Sequence, residues 1–187
     1  MEQKVNAFPH SGLEVTQGGR VNVYVDGSCS YNGCANAIAG IGIWFGDNHR
    51  WNTSKTLKEA RVTNIVAETL AAIEAIKIYK EKDVPKLRII THSQYLIDCV
   101  LQYMGKWKQN GWLNAKNRPI VNQELLKVLD PYMENTDVIF QHIPGHQRFY
   151  GNEQANRLAK IGSKIQKEGK GRQQRKSNKS TPITPTN

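Results

Sequence analysis

Asp26 is the first residue of the chain whose type and position could do chemistry. It follows the alternating apolar run Val21–Val25 and precedes Gly27 and Ser28. A carboxylate that a buried strand delivers into a loop of small residues suits the binding of a metal ion or a phosphate. The same pattern is typical of an aspartate that starts a turn and accepts hydrogen bonds from local amides. For Asp26 alone, both interpretations stay equally open.

Four further short motifs combine polar and small residues at the ends of elements or early in helices. They are Ala-Glu at 67–68, Thr-His-Ser at 91–93, Pro-Gly-His at 144–146 and Gly-Asn-Glu-Gln-Ala-Asn at 151–156. Glu68 lies on an otherwise apolar helical face, which favours a functional carboxylate over a solvated or ion-paired one. The chain therefore offers several polar groups that a fold could bring to one cleft.

The elements that position these groups follow from hydrophobic periodicity. Alternation with β-branched residues predicts a first strand over Val21–Val25, with a turn directly after it that carries Asp26 into a loop of glycine and serine. Further strands are predicted over Ala37–Gly46 and Arg50–Leu57, and short connections join the three into an antiparallel meander. Apolar residues then recur at helical spacing from Asn64 to Lys82, before Asp83-Val84-Pro85 ends the helix.

The second half of the chain alternates strands with helices, which is typical of a parallel sheet. Gly105–Val121 interleaves lysines with tryptophans and is predicted to form a basic surface projection, and Asn122 is predicted to cap the helix after it. The predicted elements are a strand at Lys86–Thr91, a helix over Tyr95–Met104, a helix over Asn122–Met133, a strand at Asp137–Ile143 and a helix from Gly151.

Length and charge define the organisation of the chain. Its 187 residues predict a flexible leader at 1–19, one domain at 20–168 and a basic disordered tail at 169–187. The formal net charge is +10, and from Ser163 onward seven basic residues oppose one acidic residue. This balance points to a polyanionic partner, with nucleic acid first.

The remaining composition excludes several classes of protein. Three cysteines, Cys29, Cys34 and Cys99, are too few and odd in number for a disulfide framework and favour free thiols. No apolar run approaches the roughly 18 residues of a membrane span, and the first twenty residues lack a secretory core. We expect an intracellular protein, nuclear or cytoplasmic rather than secreted, that does not bind membranes and is monomeric.

The joint order of these motifs resembles the type 1 ribonuclease H family over about residues 20–165. The resemblance implies an α/β fold with a five-stranded mixed sheet, three antiparallel strands followed by two parallel ones, flanked by helices. It also implies an endonuclease that cuts the RNA strand of an RNA/DNA hybrid with two magnesium ions. In the family four carboxylates hold those metals, and Asp26 and Glu68 match the first two.

The third and fourth carboxylate positions are replaced in this chain. His92 stands in Thr-His-Ser where the family has aspartate, and Asn156 stands in Ala-Asn where the family has aspartate. Two magnesium ions bring four positive charges against two remaining carboxylates, and His92 offers a nitrogen better suited to zinc, copper or nickel. We expect magnesium, or manganese, to bind weakly at Asp26 and Glu68. Asn156 keeps a neutral oxygen and is the milder change.

Two histidines have open roles. A histidine hydrogen-bonded at a strand end is the favoured interpretation of His92, with metal ligation as the alternative. His146 matches a loop histidine that the family is thought to use in water activation or product release. Because the metals are weakened, the role of His146 depends on whether cleavage persists.

The residues that match the family's binding surface are more complete. Arg61, Thr63 and Asn122 match a pocket for a DNA phosphate, and Asn32 and Asn64 match contacts to RNA 2′-hydroxyls, which distinguish RNA from DNA. Aromatic and basic residues match a channel along the DNA backbone: Tyr95, Tyr103 and Trp107, with Lys106, Lys108, Lys116 and Arg118 as counter-charges. Core packing is the alternative for the aromatic residues.

The sequence thus predicts a protein that binds RNA/DNA hybrids, and double-stranded nucleic acid nonspecifically, with cleavage of RNA absent or much weakened. One alternative is an active ribonuclease H that tolerates His92 and Asn156, with manganese as its metal. Another is a non-catalytic scaffold for a protein partner. The match at Arg61, Asn64 and Trp107 argues against the scaffold, which has no need of them.

Overall fold

The computed structural model describes residues 12–58, 61–145 and 147–179, with side chains described as far as Ile165. One mixed sheet contains the strands β1 (Val21–Ser30), β2 (Ile38–Trp44), β3 (Thr53–Leu57), β4 (Leu87–Thr91) and β5 (Val138–His142). Their spatial order is β3-β2-β1-β4-β5. The pairs β1–β2 and β2–β3 are antiparallel, whereas β1–β4 and β4–β5 are parallel. The predicted fold class is therefore confirmed. The loop predicted directly after the first strand is wrong, because residues 26–30 continue β1 by pairing with residues 38–42 of β2.

Four of the five described helices lie where the helical periodicity predicts them, whereas one begins at Met104 and continues into the predicted basic projection. They are α1 (Asn64–Glu81), α2 (Gln94–Asp98), α3 (Met104–Gln109), α4 (Gln123–Glu134) and α5 (Tyr150–Lys179). A π-helical turn, Cys99–Tyr103, joins α2 to α3. Among the described helices, none has the length and apolar content that crossing a membrane requires.

Two glycines let helices pack closely on opposite faces of the sheet. A Cβ at Gly27 of β1 would lie 2.5 Å from the backbone nitrogen of Glu68 in α1, and a Cβ at Gly42 of β2 would collide with the carbonyl of Ala155 in α5. Gly42 pairs with Asp26 across the sheet, and successive strand residues point to opposite faces. Hence α1 and α5 cover the two faces beside Asp26, and the core lies between each helix and the sheet.

The ends of the described chain are more regular than composition predicts. The leader residues 12–19 turn back on β1: Val15 bridges Val21, and the amide of Asn22 donates to the carbonyl of Glu14 at 2.8 Å. At the other end, α5 continues to Lys179, where the sequence predicts disorder from residue 169. Residues 1–11 and 180–187 lie outside the described residues, so the division into leader, domain and tail stays a prediction.

The predicted basic projection is partly anchored to the core. Helix α3 begins at Met104 and runs into it, and Trp107 and Trp112 pack partly buried against the core cluster. The amide of Trp112 donates to the carbonyl of Trp107 at 2.7 Å, and buried Ile120 donates to the carbonyl of Trp112. The indole rings therefore anchor the segment to the core, because burying them removes a large apolar area from water.

Candidate active site and nucleic-acid interface

Asp26 and Glu68 meet where β1 packs closest to α1. The absence of a side chain at Gly27 brings the backbone of α1 against β1 directly beside Asp26. Asp26 is 3% exposed and Glu68 is 2% exposed, and neither oxygen of Glu68 has a hydrogen-bond partner. Two carboxylates are thus held in the protein interior, and that of Glu68 lacks the hydrogen bonds that usually accompany burial.

Burial dominates the electrostatics of this pair. It raises the pKa of Glu68 well above the ordinary range of a glutamate, and the nearby charge of Asp26 raises it further. Burial also raises the pKa of Asp26. Both ionised forms are unfavourable in the isolated protein, so the pair favours an added positive charge.

His92 supplies the third group of the cleft, directly after β4. Its Nδ1 lies 3.6 Å from Oδ1 of Asp26, and its Nε2 lies 3.5 Å from Oε1 of Glu68. These separations exceed an ordinary hydrogen bond, and Nδ1 has no hydrogen-bond partner. The favoured interpretation of His92 as a hydrogen-bonded histidine is therefore wrong for this nitrogen, and metal ligation stays a prediction. One ligand atom from each of the three residues lies within 4.8 Å of the others. We call Asp26, Glu68 and His92 the acid–histidine cluster.

The cluster opens into a cavity of about 370 Å³. Asn156 lines this cavity from α5, together with Asn152, Glu153 and Lys160 from the same helix. The sequence analysis includes Asn152 and Glu153 only within the motif at 151–156 and misses Lys160, although Asn152 and Lys160 lie four residues before and after Asn156 and therefore share its helical face. Asn152 is 9% exposed, and its buried Oδ1 has no hydrogen-bond partner.

His146 lies outside the described residues. Its neighbour Gly145 lines the same cavity, where a Cβ added to it would lie 3.5 Å from Cδ2 of His92. The loop after β5 therefore borders the cavity next to the cluster. A role of His146 in this cavity stays a prediction.

The residues predicted to form a phosphate pocket come from the N-terminal ends of α1 and α4, which pack together. Thr63 caps α1 by accepting a hydrogen bond from the amide of Val66 at 3.2 Å. Arg61 is exposed and has a φ of 58°. Asn122 precedes α4 with a φ of 60°, and its side chain makes no capping hydrogen bond. The prediction that this side chain caps the helix is wrong, because the left-handed backbone turns it away.

Asn32 and Asn64 are brought together by a hydrogen bond between the loop after β1 and the start of α1. Oδ1 of Asn32 accepts from the backbone amide of Asn64 at 2.7 Å. In the same region, the amide of Gly33 and the thiol of Cys29 both donate to the carbonyl of Val62. Both asparagines are exposed, and Asn64 lines the cavity. This surface is therefore continuous with the acid–histidine cluster.

The predicted aromatic contacts divide into packed and exposed parts. Tyr95 packs partly buried against the core, its hydroxyl donates to the carbonyl of Val121 at 3.1 Å, and burial raises its pKa to about 12. Trp107 stacks on Tyr103 with ring centroids 5.4 Å apart, and Tyr103 is 42% exposed. Core packing and an exposed aromatic face thus occur side by side.

Lys108 differs from the free counter-charge that the sequence predicts. Its ammonium lies 3.0 Å from Asp130 and also contacts Glu134, both on α4. The hydrogen bonds that Lys108 donates to Glu134 and Asp130 raise its pKa. Its positive charge is therefore shared with acidic residues of the chain itself.

Comparisons with known proteins agree with this architecture. A model of the RNase H family matches residues 18–164. The chain is 41% identical over 164 residues to ribonuclease H1 of Rattus norvegicus, covering 88% of this chain and 55% of that protein. It is 37% identical over 146 residues to ribonuclease H of Brucella ovis, covering 76% of this chain and 89% of that protein. The chain thus spans about half the length of the rat relative.

A solved structure shares the fold. The foamy viral protease-reverse transcriptase in complex with an RNA/DNA hybrid superposes with a TM-score of 0.65 at 26% sequence identity. The match covers 76% of this chain and 20% of that one. The shared region is therefore one domain of a larger viral protein.

Proposed function

Because the chain belongs to the type 1 ribonuclease H family, we propose that it binds RNA/DNA hybrids while cleaving their RNA strand slowly or not at all. The observation that carries this proposal is the imidazole of His92, which stands 3.6 Å from Asp26 and 3.5 Å from Glu68. It occupies the position at which the family resemblance implies a carboxylate. The cleft is thereby short of the negative charge on which metal-dependent cleavage relies.

The two magnesium ions that the resemblance implies do not fit the residues present. Asp26 and Glu68 supply two negative charges against four positive ones, while His92 and Asn156 supply a ring nitrogen and a neutral amide. Magnesium prefers near-octahedral oxygen ligation. We therefore propose that magnesium is held weakly, with manganese as the alternative, and no cleavage step through a metal pair forms part of the proposal.

Recognition of the hybrid is supported by the surface around the cavity. Asn32 and Asn64 are exposed and joined by a hydrogen bond, and Asn64 borders the cavity. The resemblance assigns both to contacts with RNA 2′-hydroxyls, which duplex DNA lacks. The related foamy viral enzyme is described in complex with an RNA/DNA hybrid. The side chain of Asn122 makes no capping bond to α4 and interacts with Tyr95, and the resemblance assigns it to the pocket for a DNA phosphate.

A binding titration tests the proposal. We expect the full chain to bind an RNA/DNA hybrid more tightly than duplex DNA of the same sequence, with chelator present so that metal plays no part. A matched variant, Asn64→Ala, should reduce the preference for the hybrid and leave the affinity for duplex DNA nearly unchanged. Equal affinity of the unaltered chain for the two duplexes would contradict specific recognition of hybrids.

A further inference from the structure

The acid–histidine cluster contains three buried polar atoms that the described protein leaves without hydrogen-bond partners. They are Oε1 and Oε2 of Glu68 and Nδ1 of His92. Glu68 itself is 2% exposed. An unpartnered buried carboxylate is among the costliest groups that a protein interior can hold. A bound cation would satisfy all three atoms at once.

The spacing within the cluster favours a tetrahedral over an octahedral ion. Bonds of 2.0–2.2 Å separate neighbouring tetrahedral ligands by about 3.3–3.6 Å, whereas octahedral magnesium separates them by about 3.0 Å. Only one ring nitrogen of His92 can ligate a given ion. Nδ1, which is buried and unpartnered, lies 3.6 Å from Oδ1 of Asp26, and this separation matches the wider, tetrahedral spacing. The 3.5 Å contact with Glu68 is made by the other nitrogen, Nε2.

The charges around the cavity favour one ion rather than two. Two carboxylates and a neutral imidazole neutralise a single divalent ion. Among the described residues, Glu153 is the one further carboxylate that lines the cavity. It is exposed on α5 and does not belong to the group whose ligand atoms lie within 4.8 Å of one another. The ammonium of Lys160 repels a further cation. Oδ1 of Asn152, buried and unpartnered, offers a partner for a water molecule that completes the shell.

We propose that Asp26, Glu68 and His92 bind one divalent cation of borderline softness, such as Zn²⁺, in place of a magnesium pair. Mixed nitrogen and oxygen ligands suit zinc and cobalt, whereas magnesium is bound by oxygen alone. The inference rests on the proposed function only in taking this cleft as the reactive centre. It deepens that function by naming the ion the cleft selects.

Cobalt(II) is the probe, because it takes zinc sites and reports its coordination by visible absorption. We expect the metal-free full chain to bind one equivalent, with the intense visible bands of a four- or five-coordinate ion, and Zn²⁺ to displace it. His92→Asp should lower the Co²⁺ affinity at least about 10-fold while raising the Mg²⁺ affinity measured by calorimetry. The test depends on the two affinities changing in opposite directions, because almost any site binds zinc more tightly than magnesium.

His142→Gln is the matched control. His142 is exposed, ends β5 beside the last residue of β4, and contributes nothing to the cluster. This variant should retain both affinities. His92→Asn provides a second test without an added charge, and it should lose Co²⁺ affinity with no gain for Mg²⁺. Melting temperatures in chelator show whether each variant is folded.

Three outcomes would overturn the proposal. The first is a Co²⁺ affinity that neither His92→Asp nor His92→Asn changes. The second is binding of two equivalents of Co²⁺, both of which depend on the acid–histidine cluster. The third is a near-ultraviolet thiolate band that Cys29→Ser removes, since Cys29 lines the same cavity. Hybrid affinity in chelator is measured separately, so a failed metal site and a failed hybrid binder are distinguished.

Discussion

The acid–histidine cluster and the predicted binding surface differ in how their polar groups are satisfied. In the cluster, Asp26 and Glu68 are almost fully buried and Glu68 has no hydrogen-bond partner. On the binding surface, Asn32 and Thr63 are already hydrogen-bonded to the start of α1. A buried cluster cannot compensate with solvent for one changed ligand, whereas an exposed surface spreads its energy over many small contacts. Replacing two side chains can therefore remove cleavage and leave binding intact.

The strongest test of this difference restores the missing carboxylates. We expect the double variant His92→Asp with Asn156→Asp to cleave RNA in hybrids with magnesium at least about 100-fold faster than the unaltered chain. His92→Asp alone should recover more than Asn156→Asp alone, because an amide oxygen can still ligate whereas an imidazole mismatches magnesium. Single-turnover cleavage by all four proteins measures the effect.

Hybrid affinity in chelator serves as the control for that experiment. It should fall slightly in the variants, because the added carboxylates lie in the cavity that Asn64 also lines and repel the phosphates of the hybrid. A gain in cleavage therefore cannot come from tighter binding. If the unaltered chain cleaves as fast as the double variant, the two regions are both functional. The chain is then an active ribonuclease H that tolerates His92 and Asn156.

The sheet and the two acidic residues were predictable because their signals are local. Alternation along Val21–Val25 locates β1, and the apolar face around Glu68 marks it as unusual within α1. Their proximity depends on Gly27, whose close contact with α1 has no signature beyond a glycine after an aspartate. The resemblance to a family, rather than periodicity, joined them into one site.

Long-range partners were not predictable. The ion pairs of Lys108 join it to residues of α4 that are 22 and 26 positions away, and no spacing rule connects a lysine in α3 to them. The hydrogen bonds that hold residues 12–19 against β1 are likewise set by tertiary packing. Asn152 and Lys160, by contrast, could have been found from their helical spacing to Asn156.

A smaller effect is expected on stability when the charge of the cluster is removed. Burial and the charge of Asp26 raise the pKa of Glu68, so the folded, metal-free protein disfavours loss of the Glu68 proton. This lowers the free energy of unfolding as the pH rises above the pKa of an unfolded glutamate. Glu68→Gln should raise the free energy of unfolding in chelator by about 1 kcal/mol, or the melting temperature by about 2–4 °C. Thermal unfolding followed by circular dichroism measures this shift.

The matched surface variant for that measurement is Asn64→Ala. Its side chain is exposed, so its stability should stay within about 0.5 kcal/mol of the unaltered chain. A melting temperature that falls in Glu68→Gln would show that the carboxylate is satisfied in the metal-free protein. The acid–histidine cluster and the binding surface would then both have satisfied polar groups.

The smallest expected effect distinguishes two lysines of the binding surface by salt dependence. If four to six phosphates are neutralised, the logarithm of hybrid affinity should fall with the logarithm of salt concentration at a slope of roughly −4 to −5. Lys106 is exposed and has no ion pair among the described residues, whereas Lys108 contacts Asp130 and Glu134. Lys106→Ala should therefore reduce the magnitude of the slope by about 1, and Lys108→Ala by clearly less. Both variants remove one charge, so long-range attraction changes equally and only direct phosphate contact separates them. Equal losses of slope would mean that Lys108 exchanges its carboxylate partners for phosphate when the hybrid binds.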